Sequence, residues 1–249
     1  MPLKSVLVNC AYNRTHDRSP KWAVLSPSEC GPPNAIMRVV DNRNHPMEAN
    51  FTVCLHKALY NNYGWPELLV EWIEVNRIFG AQKFLLYYYN HSESLMPYIK
   101  HYIELGIVEY RFWPLHRVDK QISIYKAQVS VINDCIYRSM YKTKYLALMD
   151  PDELLVPEKH DSWHGLMEEA PCDQEPGIMF RNHIFVLEEQ PDQRYTTNRT
   201  LSSIRLNSLA YTKRQNFSWP CYIRTKLMVR PERVIDCDTH VTRMWEDCC

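Results

Sequence analysis

Glycine is scarce, at 6 in 249 residues, and neither G-x-G-x-x-G nor G-x-x-x-x-G-K-[ST] occurs. Both motifs use glycine to bring backbone N–H groups close to phosphates, so its scarcity argues against a Gly-rich phosphate cradle. Net charge is also lacking, since Lys+Arg and Asp+Glu each number 29. Nothing in that balance points to nucleic acid or an anionic membrane surface as the main partner. The 9 cysteines include no C-x-x-C pair, which weakens zinc-ribbon and thioredoxin-like readings. No apolar run approaches the ~18 residues of a membrane span, and the apolar stretch in "MPLKSVLVNCAYNRT" is too short for a signal core. Internal repeats and low-complexity segments are missing too.

Proline and tyrosine are plentiful, at 16 each. The length allows one large α/β domain or two small ones. N-x-[ST] sequons begin at Asn13, Asn50, Asn90, Asn198 and Asn216. Their density, with the cysteines, points to passage through the secretory pathway, where disulfides form. Cys54 and Cys135 lie in apolar contexts and read as buried or disulfide-bonded rather than nucleophilic.

Residues 1–47 hold prolines at 20, 27, 32, 33 and 46 and no sustained period. They read as an irregular lead-in with one strand at 36–40, before a single domain over 48–249. The pattern then tightens. "NFTVCL" (50–55) reads as a buried strand and "WPELLVEWIEVNRIFG" (65–80) as a helix, with Pro66 in its first turn and Gly80 as its C-terminal cap. Leu69, Trp72, Ile73, Asn76 and Phe79 fall largely on one face of that helix. "KFLLYYY" (83–89) is a strand, "SLMPYIKHYIELG" (94–106) a helix closed by Gly106, and "IVEYRFW" (107–113) a strand. "YKAQVSVINDCIYRSMY" (125–141) is a third helix, leading to a strand at 145–149. Further on, 177–187 reads as a long strand or strand pair and 225–234 as another. The β-α-β-α-β-α-β rhythm predicts an α/β fold with a mainly parallel central sheet flanked by helices.

The strand at 145–149 runs into "MDPDELLVP". In open α/β sheets ligands bind beyond the carboxyl ends of the strands, and Asp150 sits at such an end. In extended chain Asp150 and Asp152 project together while Pro151 faces away. Two adjacent carboxylates repel one another, and a divalent cation removes that penalty. All-oxygen ligands favour Mg²⁺, Mn²⁺ or Ca²⁺ over zinc or copper. The plain alternative is a solvated strand exit with acids as turn formers.

Four stretches carry a resemblance over roughly residues 50–240. "FTVCLHKALYNNYGWPELLVEWIEVNRIFGAQKFLLYYYN", "AQVSVINDCIYR", "KYLALMDPDELLVP" and "RTKLMVRPERVIDCDTHV" keep the order and approximate spacing of glycosyltransferase family 92, the domain formerly called DUF23. The chain resembles that family, and the resemblance implies a GT-A-like fold. Asp150 and Asp152 would hold a divalent metal, Mn²⁺ or Mg²⁺, against a nucleotide-sugar diphosphate. Asp152 would be the direct ligand, Asp150 would serve ribose or metal, and His240 would be a remote third ligand. Glu153 would orient the turn or face the acceptor. Gln128, Asn133 and Asp134 on the third helix would contact the donor sugar, and Arg224, Lys226 and Arg230 would meet phosphates. Solvated faces account for these polar residues as well. The Tyr87–Tyr89 run reads as core and sheet edge, while Trp65 and Trp113 are candidates for stacking on acceptor sugars.

The same resemblance implies an inverting galactosyltransferase using UDP-galactose on fucose of N-glycan cores, in the Golgi or secretory lumen. Its partners would be a UDP-sugar donor and a glycan or glycoprotein acceptor, with membrane contact only through an anchor that this sequence does not show. Inversion needs one general base, for which Glu188, Glu189, Asp236 and Asp238 are candidates, and none stands out. Family members continue past the His segment, whereas this sequence ends in "MWEDCC", so an inactive GT-A domain that binds glycan or a protein partner is the alternative. A haloacid-dehalogenase-type phosphatase also ends a strand in D-x-D. It places the motif at its first strand, unlike this chain.

Overall fold

Short apolar runs supply the strands, and prolines and glycines mark where helices begin and end. The computed structural model describes residues 8, 19–61, 66–91, 93–114, 124–169, 177–187, 190–204, 206–217, 219–220, 223–238 and 242–244. In the lead-in, where the sequence predicts a single strand, β1 (Trp22–Leu25) pairs antiparallel with β2 (Ala35–Arg38). The alternating pattern then unfolds as expected through β3 (Ala49–Leu55), α1 (Pro66–Phe79), β5 (Lys83–His91), α2 (Met96–Glu104), β6 (Val108–Phe112), α3 (Ile124–Ser139) and β7 (Thr143–Met149), with one unexpected short strand, β4 (Leu59–Asn61), between β3 and α1. Next come α4 (Trp163–Glu169), β8 (Gly177–Phe180) and three short helices, α5 (Gln193–Thr197), α6 (Arg199–Ser202) and α7 (Asn207–Ala210). The described chain closes with β9 (Lys226–Val229), β10 (Val234–Cys237) and β11 (Thr242–Met244).

Helix ends follow the local chemistry. Pro66 opens α1, where its missing N–H removes no intrahelical bond. Gly80 and Gly106 adopt φ of 119° and 70° after α1 and α2, backbone that a side chain would strain. After α2 the Gly106 N–H donates to the Ile103 carbonyl and the Ile107 N–H to that of Tyr102, the paired bonds of a Schellman cap. Leu69, Trp72, Ile73 and Asn76 of α1 are buried, and Phe79 packs at the edge of the same cluster. Glu71 is also buried, and its carboxylate accepts the N–H groups of Asn207 and Ser208 at 3.0 and 2.7 Å and the Ser208 hydroxyl at 2.6 Å. That carboxylate joins α7 to α1.

The main sheet runs β4-β5-β3-β7-β9-β8, with β6 also on β5. β3, β5, β6 and β7 pair in parallel, β9 is antiparallel to β7, and β8 is antiparallel to β9. Strand residues alternate between two cores. Phe51, Val53, Leu55, Tyr145, Ala147 and Met149 face α1 and α2, while Cys54, Leu146 and Leu148 face Val131, Ile132 and Ile136 of α3. Cys54 and Cys135 form a disulfide that fastens α3 to β3. The result is an α/β fold with a mixed, mostly parallel sheet between helices, compatible with a GT-A-like architecture.

Two late segments differ from the expected strands. Strand structure in 177–187 stops at Phe180, and Phe185 makes only an isolated bridge to Arg214. Pro231 breaks the 225–234 segment with a 3₁₀ turn, Pro231–Arg233, leaving β9 and β10 on either side. Proline cannot donate to a sheet ladder.

The topology also locates a crevice. From β3 the chain builds outward to β5 and β6, then returns to place β7 on the other side of β3. Open α/β sheets bind ligands at such a switch, beyond the carboxyl ends of the two strands that flank it.

Candidate active site

β3 and β7 pair in register, Leu55 opposite Met149, so the residues that follow them, His56 and Asp150, leave the sheet side by side. The His56 N–H donates to the Met149 carbonyl at 3.2 Å, continuing the ladder by one bond. β9 runs the opposite way, with Leu227 beside Leu148, and therefore begins at the same crest with Lys226. Three adjacent strands thus deliver His56, Asp150 and Lys226 to one point.

The acidic turn takes a different shape from the extended one read in the sequence. The Asp150 carbonyl accepts the Glu153 N–H at 3.2 Å, closing a turn with Pro151 and Asp152 at its centre. The Glu153 side chain folds back to accept the Asp150 N–H at 3.1 Å. Asp150 therefore pairs with Glu153, Pro151 is buried, and Asp152 stands exposed at the tip. Downstream, the Trp163 indole N–H donates to the Leu155 carbonyl at 2.8 Å inside the core and holds the exit from the turn.

Asp150 Oδ2 lies 3.0 Å from His56 Nε2 and 3.0 Å from Lys226 Nζ, and Lys226 Nζ lies 2.9 Å from Glu153 Oε2. His56 is fully buried, and among the described residues its Nδ1 has no hydrogen-bond partner. Burial would raise the Asp150 carboxyl, but hydrogen bonding and charge from His56 and Lys226 outweigh it and hold the group well below the usual carboxylate range. Glu153 goes the other way, because burial, with the Asp150 charge, pushes it up against the pull of Lys226. Burial would lower Lys226, yet Glu153 and Asp150 keep its ammonium raised.

The remaining expected residues divide by position. Arg224 precedes β9 at the crest end, exposed, with φ of 55° and its guanidinium 4.9 Å over the Trp219 ring. Backbone in that region is strained for any non-glycine residue. Arg230, by contrast, lies at the far end of β9, where it donates to the Tyr145 hydroxyl at 3.0 Å, away from the crest. Gln128 is buried in the first turns of α3. Asp134 accepts from the Tyr87 hydroxyl at 2.8 Å and from Arg138 Nε at 2.6 Å. Asn133 grips β10, donating to the Cys237 carbonyl at 2.8 Å and accepting its N–H at 3.0 Å. Trp113 packs edge-on against Tyr87, and Tyr88 stacks on Tyr110 at 4.2 Å, so these aromatics serve the sheet. Asp236 lies in β10, partly buried, and Asp238 is exposed just beyond it. His240, Trp65, Glu188 and Glu189 lie outside the described residues.

His56 was missed in the sequence. Its signal was there, a polar residue directly after a buried parallel strand, as with Asp150, but its importance depends on the β3–β7 register.

A profile of glycosyltransferase family 92 matches residues 49–248, which span the whole main sheet and every residue of the crest. The chain belongs to glycosyltransferase family 92. No curated protein gives a significant match. Family membership makes the chain a glycosyltransferase by family, with a sugar donor and a glycan acceptor as its partners.

Proposed function

We propose that this chain transfers a hexose, galactose from UDP-galactose, with inversion, onto a hydroxyl of a glycan such as the fucose of an N-glycan core. The observation that carries the reading is the convergence of His56, Asp150 and Lys226 at the switch between β3 and β7, beside the exposed Asp152. Asp150 and Glu153, held by Lys226, fix the turn and leave Asp152 exposed at its tip. Lys226 and Arg224 bring positive charge to the end of the sheet where a diphosphate would lie. Exposed Asp152 offers the hard oxygen donor that Mn²⁺ or Mg²⁺ prefers, with Asp150 behind it. When bound, such an ion neutralises charge on the departing UDP diphosphate. The Cys54–Cys135 disulfide and the exposed sequon asparagines Asn50, Asn90, Asn198 and Asn216 support a secretory or Golgi lumen. Among the described residues no helix is long and apolar enough to cross a membrane.

The test is UDP release from UDP-galactose with Mn²⁺ and a fucosylated N-glycan, against an Asp152→Ala control. Release that depends on the acceptor and falls about a hundredfold or more in the control is expected. Release no greater than that of the control, from protein that still binds the glycan, would leave a glycan-binding domain in place of an enzyme.

A further inference from the structure

His56, Asp150 and Glu153 each place one ligand atom within 4.8 Å of the other two. Two carboxylates and an imidazole at that spacing form a plausible cradle for a divalent cation. A cation is already there. Lys226 Nζ lies 3.0 Å from Asp150 Oδ2, 2.9 Å from Glu153 Oε2 and 3.4 Å from His56 Nε2. An ion at roughly 2.0 to 2.6 Å from the same oxygens would sit against the ammonium. Lys226 has no easy retreat, because its side chain is only 7% exposed and its neighbours Thr225 and Leu227 are buried. Two carboxylates and one ammonium leave a single negative charge in the cluster, where removing the ammonium would leave two.

We propose that Lys226 is the resident cation of the inner site: it fills the place of a divalent ion among His56, Asp150 and Glu153 and confines any bound metal to the Asp152 side of the turn. The inner carboxylates then keep their geometry whether or not metal is bound, and the ammonium offsets one of their two charges beneath the crest. Lys226 lies in the donor crest proposed above, so its bearing on the diphosphate rests on that reading. Its exclusion of metal does not.

Metal alone is therefore the probe. Mn²⁺ binding is followed by electron paramagnetic resonance, without nucleotide sugar, in the wild type, Glu153→Gln, Lys226→Met and the double variant. Lys226→Met is expected to gain a Mn²⁺ site at least about tenfold tighter than any inner-site binding in the wild type, and adding Glu153→Gln is expected to abolish the gain. Glu153→Gln alone is expected to leave wild-type Mn²⁺ binding within about twofold. If Lys226→Met unfolds in chelator, Mn²⁺ is expected to restore its circular dichroism, because the ion takes over the place of the ammonium. The assignment is overturned if folded Lys226→Met gains no Mn²⁺ site, if unfolded Lys226→Met is not rescued by Mn²⁺, or if Glu153→Gln weakens wild-type binding about tenfold. UDP release plays no part in these readouts, so failure of the transferase reading and failure of this one are separable.

Discussion

Reducing the Cys54–Cys135 bond is expected to destabilise the fold by about 4 to 5 kcal/mol in the chain-entropy description. The bond closes a loop with a sequence separation of 81 residues, and loop-closure entropy for that length amounts to about 4.5 kcal/mol at 25 °C. That loop contains β4, α1, β5, α2, β6 and most of α3, so the unfolded chain gains the freedom of about two-fifths of the domain when the bond opens. Both sulfurs are fully buried between β3 and α3, which adds a packing term on replacement by alanine. Equilibrium urea unfolding, read by circular dichroism, of oxidised wild type, reduced wild type and the Cys54→Ala, Cys135→Ala double variant separates the two contributions. Reduced wild type keeps the sulfur volume and loses only the cross-link. A shift below about 1 kcal/mol between oxidised and reduced wild type would refute the reasoning, because chain constraint would then contribute little. The consequence reaches the crest, since His56 follows directly after β3, two residues beyond Cys54.

Glu71→Ala is expected to lose about 2 to 4 kcal/mol in urea unfolding, since it leaves two backbone N–H groups and a hydroxyl at α7 without their carboxylate, and Glu71→Gln is expected to lose less. Asn133→Ala is expected to lose about 1 to 3 kcal/mol and to speed hydrogen exchange at the Cys237 amide, whose acceptor it removes. Asp150 and Glu153 impose opposite pH dependences. The depressed Asp150 carboxyl contributes stability that is fully present above about pH 4 and is lost as pH falls through its folded value, so the penalty of Asp150→Asn shrinks in acid. Glu153 has a raised carboxyl, so its contribution is present below about pH 4 and is lost as pH rises through its folded value. The penalty of Glu153→Gln, measured by thermal unfolding across pH, is therefore smaller at neutral pH than in acid.

What was legible in the sequence followed the strength of the local pattern. β3, β5, β6 and β7 are apolar runs with helices between them, and their bounds fall within two residues of those expected. Gly80 and Gly106 end their helices because only a residue without a side chain adopts those φ values easily. β4 escaped because three residues carry no period, and β1 because its hairpin buries almost nothing to mark an inward face. The antiparallel direction of β9 is not a local property at all. It is set by how the chain returns, and it decides that Lys226 lies at the crest and Arg230 at the opposite end. The sequence treated both as equal candidates for phosphate.

The acidic turn shows why spacing alone ranks its residues poorly. Alternation puts Asp150 and Asp152 together only while the chain stays extended. Proline favours the second position of a tight turn, and with Pro151 there the chain reverses within four residues and returns Glu153 to Asp150. One acid of the D-x-D pair is thereby committed inward to His56 and Lys226, and the other is left outward in solvent. The two carboxylates consequently differ in charge environment, in partners and in access. Asp150→Asn should disturb the inner ion cluster and fold stability first, whereas Asp152→Asn should disturb metal and donor binding with stability intact. A chain in which both substitutions had equal effects on stability and on Mn²⁺ binding would have its acidic pair projecting as one unit, contrary to the turn described here.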